Sequence, residues 1–434
     1  MPRSVDIDAA QPSRGSRLRS MLRWLHFLTV AALLSGAASP ARNTGGSGRA
    51  ALPRVTPESV GMSRSRLAMI DDVVLSGIRA EGFPGAAVIV ARHGGIVWER
   101  GYGTLDWQSG TAVDAERTMY DLASLTKVVA TTAAAMVLVD RGKLRLDERV
   151  THYLPAFSGG AKNEVTIRDL LTHRSGLPAG RDFPKGAGFE SARNAVLATS
   201  LVHAPGSEYE YSDLGFDVLG FVIERITHET LDQFVQRTVY TPLRMRSTMF
   251  RPPLSLRGRI APTETAVAPG EVQDPTARAL GGVAGNSGLF STANDLAVFA
   301  QIMLDGGVAG RTRLFADRVA RAFTEPGPGW RGLGWETCPG SGSCGHYLSS
   351  RAFGHTGFTG TSMWIDPERD LVVIVLTNWI HGRASGGVAP VGIVQDVRSD
   401  IVDLAALSIS DGGPEPALPA RLRSQMQIGW NAGE

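Results

Sequence analysis

Ser124 and Lys127 have the residue types and the spacing that covalent chemistry requires. They stand three positions apart at the start of an apolar run over 125–139, so their side chains share one face of the predicted helix. Four of the 44 basic residues are lysines, and a lysine can lose its proton on desolvation whereas an arginine effectively cannot. We therefore expect burial to lower the pKa of Lys127, which would let it take the proton of the Ser124 hydroxyl.

Ser124 also lies at the expected N-terminus of this helix, where free backbone N–H groups and the helix dipole stabilise developing negative charge. The same Ser-x-x-Lys spacing fits a simpler structure, in which a serine caps a helix and a lysine reaches solvent. Two later stretches favour the chemical interpretation: Tyr211-Ser212-Asp213 and His355-Thr356-Gly357.

The three motifs, in this order, resemble those of the penicillin-recognising serine hydrolases, which comprise serine β-lactamases, D,D-peptidases and related esterases. A tyrosine leads the second motif, as in the class C-like branch of that superfamily. The stretches LLTHRSGLP, LGGVAGNSGLFSTANDLA and GHTGFTGTSMWIDP are similar to that branch as well. The resemblance spans about residues 55–408 and so covers most of the chain.

This resemblance implies a catalytic role for three side chains. Ser124 would be the acylated nucleophile, Lys127 its base partner, and Tyr211 a second proton carrier for acylation and for hydrolysis. The backbone N–H groups of Ser124 and Phe358 would form the oxyanion hole. The other matching residues would bind the substrate: Asp213, His355, Thr356, Gly357 and Phe358.

Two positions depart from the family pattern. His355 stands where a lysine is usual, and an imidazole that is neutral at pH 7 is a weaker anchor for the carboxylate of a β-lactam. Asp213 stands where an asparagine is usual; it can accept a hydrogen bond from Lys127 but offers no N–H₂ to a substrate carbonyl. Its negative charge also opposes a lowered pKa of Lys127. Both departures disfavour efficient β-lactamase activity and leave ester or peptide acyl transfer open.

The elements that must position these residues follow from apolar periodicity and turn residues. Strand patterns occur at both ends of the chain and helical patterns between them, which predicts an α+β fold with one antiparallel sheet built from both chain ends and an inserted helical lobe. The resemblance implies the same arrangement, the β-lactamase/transpeptidase-like fold. The predicted strands are a hairpin over 85–106 and a pair over 362–378, and the predicted helices are 125–139, 165–178, 214–228, 291–307 and 391–407, with capping boxes at Thr166 and Thr292.

The chain divides into four predicted segments. Residues 1–41 have the charged, apolar and small-residue order of a secretory signal peptide, and 42–54 read as a linker. The catalytic domain spans 55–410, with a tail over 411–434 that looks poorly ordered. Within this domain the sheet lobe covers about 55–115 and 345–410, and the helical lobe about 116–344.

The N-terminal segment predicts export to the periplasm or the medium, with no stable membrane span after cleavage. The alternatives are a buried helix and an uncleaved anchor that tethers the protein to the membrane. Cys338 and Cys344 flank a Gly- and Ser-rich loop, which in an exported chain favours a disulfide over two free thiols.

Composition and missing motifs exclude other classes. A net charge of +2 without long like-charged blocks gives no support for nucleic-acid binding. The sequence has no H-E-x-x-H and no G-x-S-x-G, which disfavours a metal hydrolase and an α/β-hydrolase. We predict an exported, cofactor-free serine hydrolase that forms an acyl-enzyme with small-molecule carboxylic esters. The alternatives are a β-lactamase or D-Ala-type peptidase, acting on a β-lactam or a peptide, and a penicillin-binding sensor that is acylated without turnover. A catalytically inactive cell-envelope scaffold is a third alternative, which the presence of all three motif residues disfavours.

Overall fold

A computed structural model of the protein describes residues 51–428, except 184, 185 and 187. The α-helices in this part of the chain are α1 (Arg64–Arg79), α2 (Ala133–Asp140), α3 (Val150–Tyr153), α4 (Ile167–Leu171), α5 (Phe189–Ala198), α6 (Asp213–Thr227), α7 (Leu231–Val235), α8 (Thr241–Leu243), α9 (Pro275–Ala279), α10 (Ala293–Leu304), α11 (Asp317–Thr324), α12 (Val391–Leu407) and α13 (Ala420–Ile428). The strands are β1 (Gly85–Arg92), β2 (Gly95–Gly103), β3 (Tyr120–Asp121), β4 (Met249–Phe250), β5 (Leu289–Ser291), β6 (Val308–Ala309), β7 (Thr312–Arg313), β8 (Glu336–Thr337), β9 (Phe353–Gly357), β10 (Thr361–Asp366) and β11 (Leu371–Thr377). Two π-helical segments, Lys127–Thr132 and Gln236–Tyr240, adjoin α2 and α7.

The main sheet is antiparallel, with the strand order β2-β1-β11-β10-β9-β8. The β1–β2 hairpin turns at His93 and Gly94, whose φ values of 51° and 74° suit a two-residue turn. β1 pairs along its length with β11, and Ala86 lies opposite Thr377. Strands from both ends of the chain therefore form one sheet, and the predicted α+β fold is confirmed.

Both faces of this sheet are buried. Successive residues of a strand point to opposite faces, and along β1 Val88 and Val90 join an apolar core with α1 and α12. Ala87 and Ile89 point the other way, into the larger core shared with the helical lobe. Helix α10 packs on this second face, against β1 and β11.

Polar caps set the start of two predicted helices. Thr166 and Asp169 form the reciprocal capping box expected at α4. At α10 Thr292 accepts the N–H of Asp295, as predicted. The second bond of a capping box, from the Thr292 N–H to the Asp295 carboxylate, is not formed at α10. That carboxylate accepts the backbone N–H of Ser247 at 2.8 Å instead.

Two predicted helices differ in detail from the structure. The run over 125–139 contains a π-helical turn, Lys127–Thr132, before α2 continues to Asp140; π turns are frequent at functional sites. The helix predicted over 165–178 ends at Leu171, because His173 adopts a left-handed φ of 56°.

The predicted signal peptide, 1–41, and the predicted linker up to residue 50 lie outside the described residues. The last linker residues are part of the fold, contrary to prediction: Leu52 is 5% exposed and Arg54 forms a parallel bridge with Ile96 of β2. None of the helices within the described residues is long and apolar enough to cross a membrane.

The C-terminal tail is also more ordered than predicted up to residue 428. Leu422 of α13 is fully buried in the core of α1 and α12. Arg421 donates to Asp403 at 2.8 Å and to Asp400, both buried on α12. One apolar contact and two buried carboxylates therefore hold this helix against α12.

Cys338 and Cys344 form the disulfide that their spacing favours. Both are buried in the core on the α1 and α12 side of the sheet. The short strand β8, which precedes this loop, pairs with β9 and extends the sheet. The sheet lobe thus begins earlier than residue 345, the predicted boundary.

Candidate active site

Lys127 is fully buried, and its ammonium donates hydrogen bonds to three protein oxygens. Its Nζ donates to Ser124 Oγ at 3.0 Å, to Asp213 Oδ1 at 2.5 Å and to the carbonyl oxygen of Asn286 at 3.2 Å. An ammonium has three donors, so each is used. The structure therefore brings together Ser124, Lys127 and Asp213, as the motifs predicted.

The expected lowering of the pKa of Lys127 is wrong. Burial does lower it, but the negative charge of Asp213, the neighbouring Tyr211 and the hydrogen bond to Asp213 together outweigh burial and raise the pKa above its ordinary value. Lys127 is therefore an ammonium in the free protein at neutral pH. The sequence showed both opposing effects, but their balance depends on how closely Asp213 approaches.

A buried carboxyl holds the turn before the nucleophile. Asp121 Oδ1 accepts the backbone N–H of Ala123 at 2.9 Å, and its Oδ2 accepts that of Gln273 at 2.7 Å. Ala123 has a φ of 46°, which is a strained conformation for alanine and places Ser124 at a sharp corner. Burial raises the pKa of Asp121 to about 6. Sequence reasoning missed Asp121, because no motif includes it.

Tyr211 lies close to the rings of His173 and His355 and to the buried ammonium of Lys127. The Lys127 Nζ is 5.0 Å from the Tyr211 ring centroid, and the His173 ring stacks on Tyr211 at 4.4 Å. The backbone N–H of Ser212 donates to His173 Nδ1 at 3.0 Å, which fixes that ring. Burial and nearby cations hold the pKa of His173 well below its ordinary value, so this ring is neutral. The stretch LLTHRSGLP contains His173, but the sequence did not indicate its contact with Tyr211.

His355 is a buried, neutral imidazole, as expected at this position. Its Nδ1 donates to the carbonyl oxygen of Thr356 at 2.7 Å, and burial lowers its pKa to about 4. Its Nε2 is buried and has no hydrogen-bond partner among the described residues. The ring faces Tyr211, with 6.2 Å between centroids, and Thr356 beside it is half-buried. The third motif thus adjoins the second.

The end of β9 packs against the turn that carries the nucleophile. Thr361 Oγ1 donates to the carbonyl oxygen of Leu122 at 3.0 Å, and a Cβ atom on Gly357 would stand only 2.3 Å from that oxygen. Glycine is therefore required at 357 for this approach. Phe358, the next residue, is 59% exposed, and its ring packs edge-on against Trp379 with 5.8 Å between the ring centroids. The segment that contains Phe358 therefore packs against the turn that leads to Ser124. The role of the Phe358 N–H in an oxyanion hole stays a prediction.

Arg331 is a second cation near the site, and sequence reasoning missed it. Its guanidinium carbon is 5.7 Å from the Tyr211 ring centroid and 5.4 Å from that of Tyr209. It pairs with Glu336 at 2.9 Å, while Nη1 is buried without a hydrogen-bond partner among the described residues. No local pattern marks Arg331, because it lies on a loop that only the tertiary fold brings here.

Asn286, whose carbonyl oxygen accepts from Lys127, donates hydrogen bonds to two acidic side chains, Asp217 and Asp274. Its backbone N–H donates to Asp217 Oδ1 at 3.1 Å and its Nδ2 to Asp274 Oδ1 at 3.2 Å. Burial raises the pKa of both carboxyls, that of Asp217 strongly. Asn286 belongs to the stretch LGGVAGNSGLF, but its contact with Lys127 could not be read from the sequence. Across 51–428, as far as it is described, no three His, Cys, Asp or Glu side chains cluster so that they could hold a metal ion.

Comparison with known proteins agrees with this geometry. The family model Beta-lactamase matches residues 70–395. A protein of Salmonella typhimurium named "Putative D-alanyl-D-alanine carboxypeptidase" is 34% identical over 377 residues, covering 76% of this chain and 86% of that relative. Among solved structures, "EstCE1, a hydrolase with promiscuous acyltransferase activity" has a TM-score of 0.64 at 24% identity, covering 79% of this chain and 99% of the other. A penicillin-binding protein homologue from Caulobacter crescentus has a TM-score of 0.65 at 20% identity, covering 80% and 99%. These structural likenesses show the fold, and the family model together with the relative shows that the chain belongs to the beta-lactamase family.

Proposed function

We propose that the protein is a serine hydrolase that forms an acyl-enzyme on Ser124. The observation that supports this most strongly is the 3.0 Å contact between Ser124 Oγ and the Nζ of fully buried Lys127. Burying an ammonium is costly, and here one of its three donors is directed at a serine hydroxyl at the start of a helix. Membership of the beta-lactamase family supports the same chemistry.

Because the pKa of Lys127 is raised, we propose that Tyr211 rather than Lys127 transfers the protons. Ser124 Oγ attacks the acyl carbon and gives its proton to the Tyr211 oxygen, while the Tyr211 hydroxyl proton passes to the leaving group. Lys127 remains an ammonium and stabilises the negative charge that develops on Ser124 Oγ. In the second half of the reaction a water replaces the leaving group, and the same transfers run from water to Ser124.

Small carboxylic esters are the substrate class we propose. His355 is neutral at pH 7, because burial lowers its pKa to about 4, so it offers no positive charge to a substrate carboxylate. An ester needs only an oxyanion hole and a protonated leaving group, which Phe358, Ser124 and Tyr211 would supply. Two solved structures with this fold are described as a hydrolase with acyltransferase activity and as a family VIII carboxylesterase.

A second candidate is a peptide with a free terminal carboxylate, as in a D-Ala-type substrate. Arg331 favours it, because this guanidinium lies over Tyr211 and has one N–H group without a partner among the described residues. The relative named for D-alanyl-D-alanine carboxypeptidase activity supports the same candidate. Arg331 could supply the positive charge that His355 lacks.

Intact-mass analysis after incubation with a fluorophosphonate tests the acyl-enzyme. We expect one adduct per chain, located on Ser124 by peptide mapping. Ser124→Ala should abolish both the adduct and ester hydrolysis while leaving the circular dichroism spectrum unchanged. Labelling retained at another residue would show that Ser124 is not the nucleophile.

Substrate preference is tested by comparing kcat/KM for p-nitrophenyl butyrate, benzylpenicillin and a D-Ala-D-Ala peptide. We expect the ester to give the highest value and the penicillin to acylate the enzyme poorly. A faster reaction with the peptide, lost in Arg331→Met while ester hydrolysis persists, would establish the second candidate instead. An adduct with penicillin that never turns over would establish the sensor.

Export is proposed from the N-terminal sequence alone. Residues 1–41 would be removed during translocation to the periplasm or the medium. Fractionation of cells that express the full chain, with N-terminal sequencing of the mature protein, tests this; a full-length protein in the cytoplasm would contradict it.

A further inference from the structure

Arg398 is a buried cation that none of the sequence motifs includes. It lies on α12 and is 6% exposed. Burial lowers the pKa of its guanidinium to about 10, so it remains charged at neutral pH. Among the described residues none forms an ion pair with it at contact distance, and its Nε has no hydrogen-bond partner there. A buried charge without a carboxylate partner is unusual and requires acceptors of another kind.

One nitrogen of Arg398 bridges the turn at the end of β9. Its Nη2 donates to the carbonyl oxygens of Gly357 and Thr361, at 2.9 Å each. These two residues lie opposite each other in the β9–β10 ladder. The N–H of Gly360 donates to the same Gly357 oxygen at 3.1 Å. Arg398 therefore closes the 357–361 turn from the α12 side.

The carbonyl of Gly357 and the N–H of Phe358 belong to the same peptide unit. A trans peptide is planar, so its N–H points opposite to its carbonyl. Holding the carbonyl toward Arg398 therefore directs the Phe358 N–H away from α12, while the neighbouring Gly357 Cα is held against Leu122 of the nucleophile turn. A cation on the carbonyl also polarises the peptide and strengthens its N–H as a donor.

We propose that Arg398 is a positioning residue for the oxyanion hole: it orients and polarises the Gly357–Phe358 peptide, whose N–H stabilises the tetrahedral intermediate on Ser124. This inference rests on the proposed function, in which Ser124 is acylated. The intermediate carries a negative charge and the bound ester does not. The contribution of Arg398 should therefore appear in kcat and leave KM nearly unchanged.

Three variants of the full-length protein test the proposal. Arg398→Met removes the charge and both hydrogen bonds, whereas Arg398→Lys keeps the charge with a different donor geometry. Arg92→Met is the matched control. Arg92 is also buried and donates to backbone carbonyls, those of Val60 at 2.7 Å and Arg369 at 3.1 Å, at the opposite end of the sheet. Unlike Arg398, it also pairs with a carboxylate, that of Asp411.

The readouts are the melting temperature, kcat and KM for p-nitrophenyl butyrate, and the affinity for phenylboronic acid, which forms a tetrahedral adduct with the serine. Removing an oxyanion donor outright costs about 10²–10³-fold in kcat. For Arg398→Met, in which the donor remains but is misoriented, we expect a loss of about 10–100-fold. Boronate affinity should fall by a similar factor, KM should change little, and Arg398→Lys should recover part of kcat. Arg92→Met should lower the melting temperature and keep kcat.

A folded Arg398→Met enzyme with wild-type kcat and boronate affinity would overturn the proposal. An equal loss of kcat in Arg92→Met would also overturn it, because the effect would then be general destabilisation. If Arg398→Met does not fold, Arg398→Lys decides: a loss of kcat with unchanged KM supports the proposal, and wild-type kinetics contradict it. Fluorophosphonate labelling of wild-type Ser124 tests the proposed function separately, and a wild type that is not labelled would refute both.

Discussion

Lys127 is the residue on which the chemistry depends most. It has no exposed surface and three hydrogen-bond acceptors, of which only Asp213 carries a formal charge. Asp213 accepts at 2.5 Å and raises the pKa of Lys127, which favours the ammonium form of the lysine. The Lys127 Nζ donates to Ser124 Oγ, where a cation would stabilise developing negative charge. In the proposed mechanism Tyr211 moves the protons.

Lys127→Arg tests whether a positive charge is sufficient at this site. Arginine keeps the charge, but its planar fork is bulkier and cannot direct three N–H groups at Ser124, Asp213 and Asn286 from one atom. We expect kcat to fall by about 10²-fold or more, since small misplacements of reacting groups cost that much. Circular dichroism and the melting temperature must show that the variant is folded. Near wild-type acylation would mean that charge alone explains the choice of lysine.

At the scale of single elements, the start of α6 positions two functional side chains. Ser212 caps this helix: its Oγ accepts the N–H of Gly215 at 3.1 Å and donates to the carbonyl oxygen of Pro178 at 2.7 Å. Tyr211 precedes the cap and Asp213 follows it as the first residue of the helix. The cap therefore fixes Tyr211, the proposed proton carrier, together with Asp213, the partner of Lys127.

Ser212→Ala should weaken both stability and catalysis. Loss of the capping bond costs about 1 kcal/mol of the free energy of unfolding, and we expect kcat to fall about tenfold as Tyr211 and Asp213 move. Thr166→Ala is the control, because Thr166 caps α4 in a capping box whose hydrogen bonds are to Asp169. Chemical denaturation and ester kinetics on both variants separate the effects. Equal kcat values for the two variants would contradict a positioning role for the cap.

For the whole molecule, buried neutral histidines make stability depend on pH. The pKa of His355 is about 4 in the folded protein and about 6.5 when the ring is exposed in the unfolded chain. Between these values the unfolded chain binds a proton that the folded chain does not. The free energy of unfolding should therefore fall as the pH falls from 6.5 to 4, by up to about 3 kcal/mol from this group.

His355→Gln should remove this contribution, because glutamine does not titrate. Urea denaturation at pH 7.0, 5.5 and 4.5 should show a smaller acid loss for the variant than for the wild type. His152→Gln is the control, since His152 is exposed. The pKa of Asp121 is raised to about 6, so protonation of this group stabilises the folded protein as the pH falls, opposite to the effect of His355. The free energy of unfolding is therefore compared between wild type and variant at each pH. Parallel curves for wild type and His355→Gln would show that the His355 ring is not held neutral.

Local sequence predicted the candidate catalytic residues and determined the order of elements. The spacing of Ser124 and Lys127 follows from helix geometry, the hairpin at His93 from turn residues, and the cap of Thr166 from side-chain chemistry. Each depends on neighbours within a few positions. Because strand patterns stand at both chain ends with helical patterns between them, the sequence also predicted an antiparallel sheet built from both ends.

Tertiary structure alone decided how these residues are charged and oriented. Asp213 is 86 positions from Lys127 in sequence, yet its 2.5 Å contact reverses the expected direction of the lysine pKa. Asp121, Arg331 and Arg398 have no motif; they reach the site because the nucleophile turn, a loop before β8 and α12 pack around β9. Electrostatic interactions depend on distance and burial, and neither quantity is encoded in local spacing.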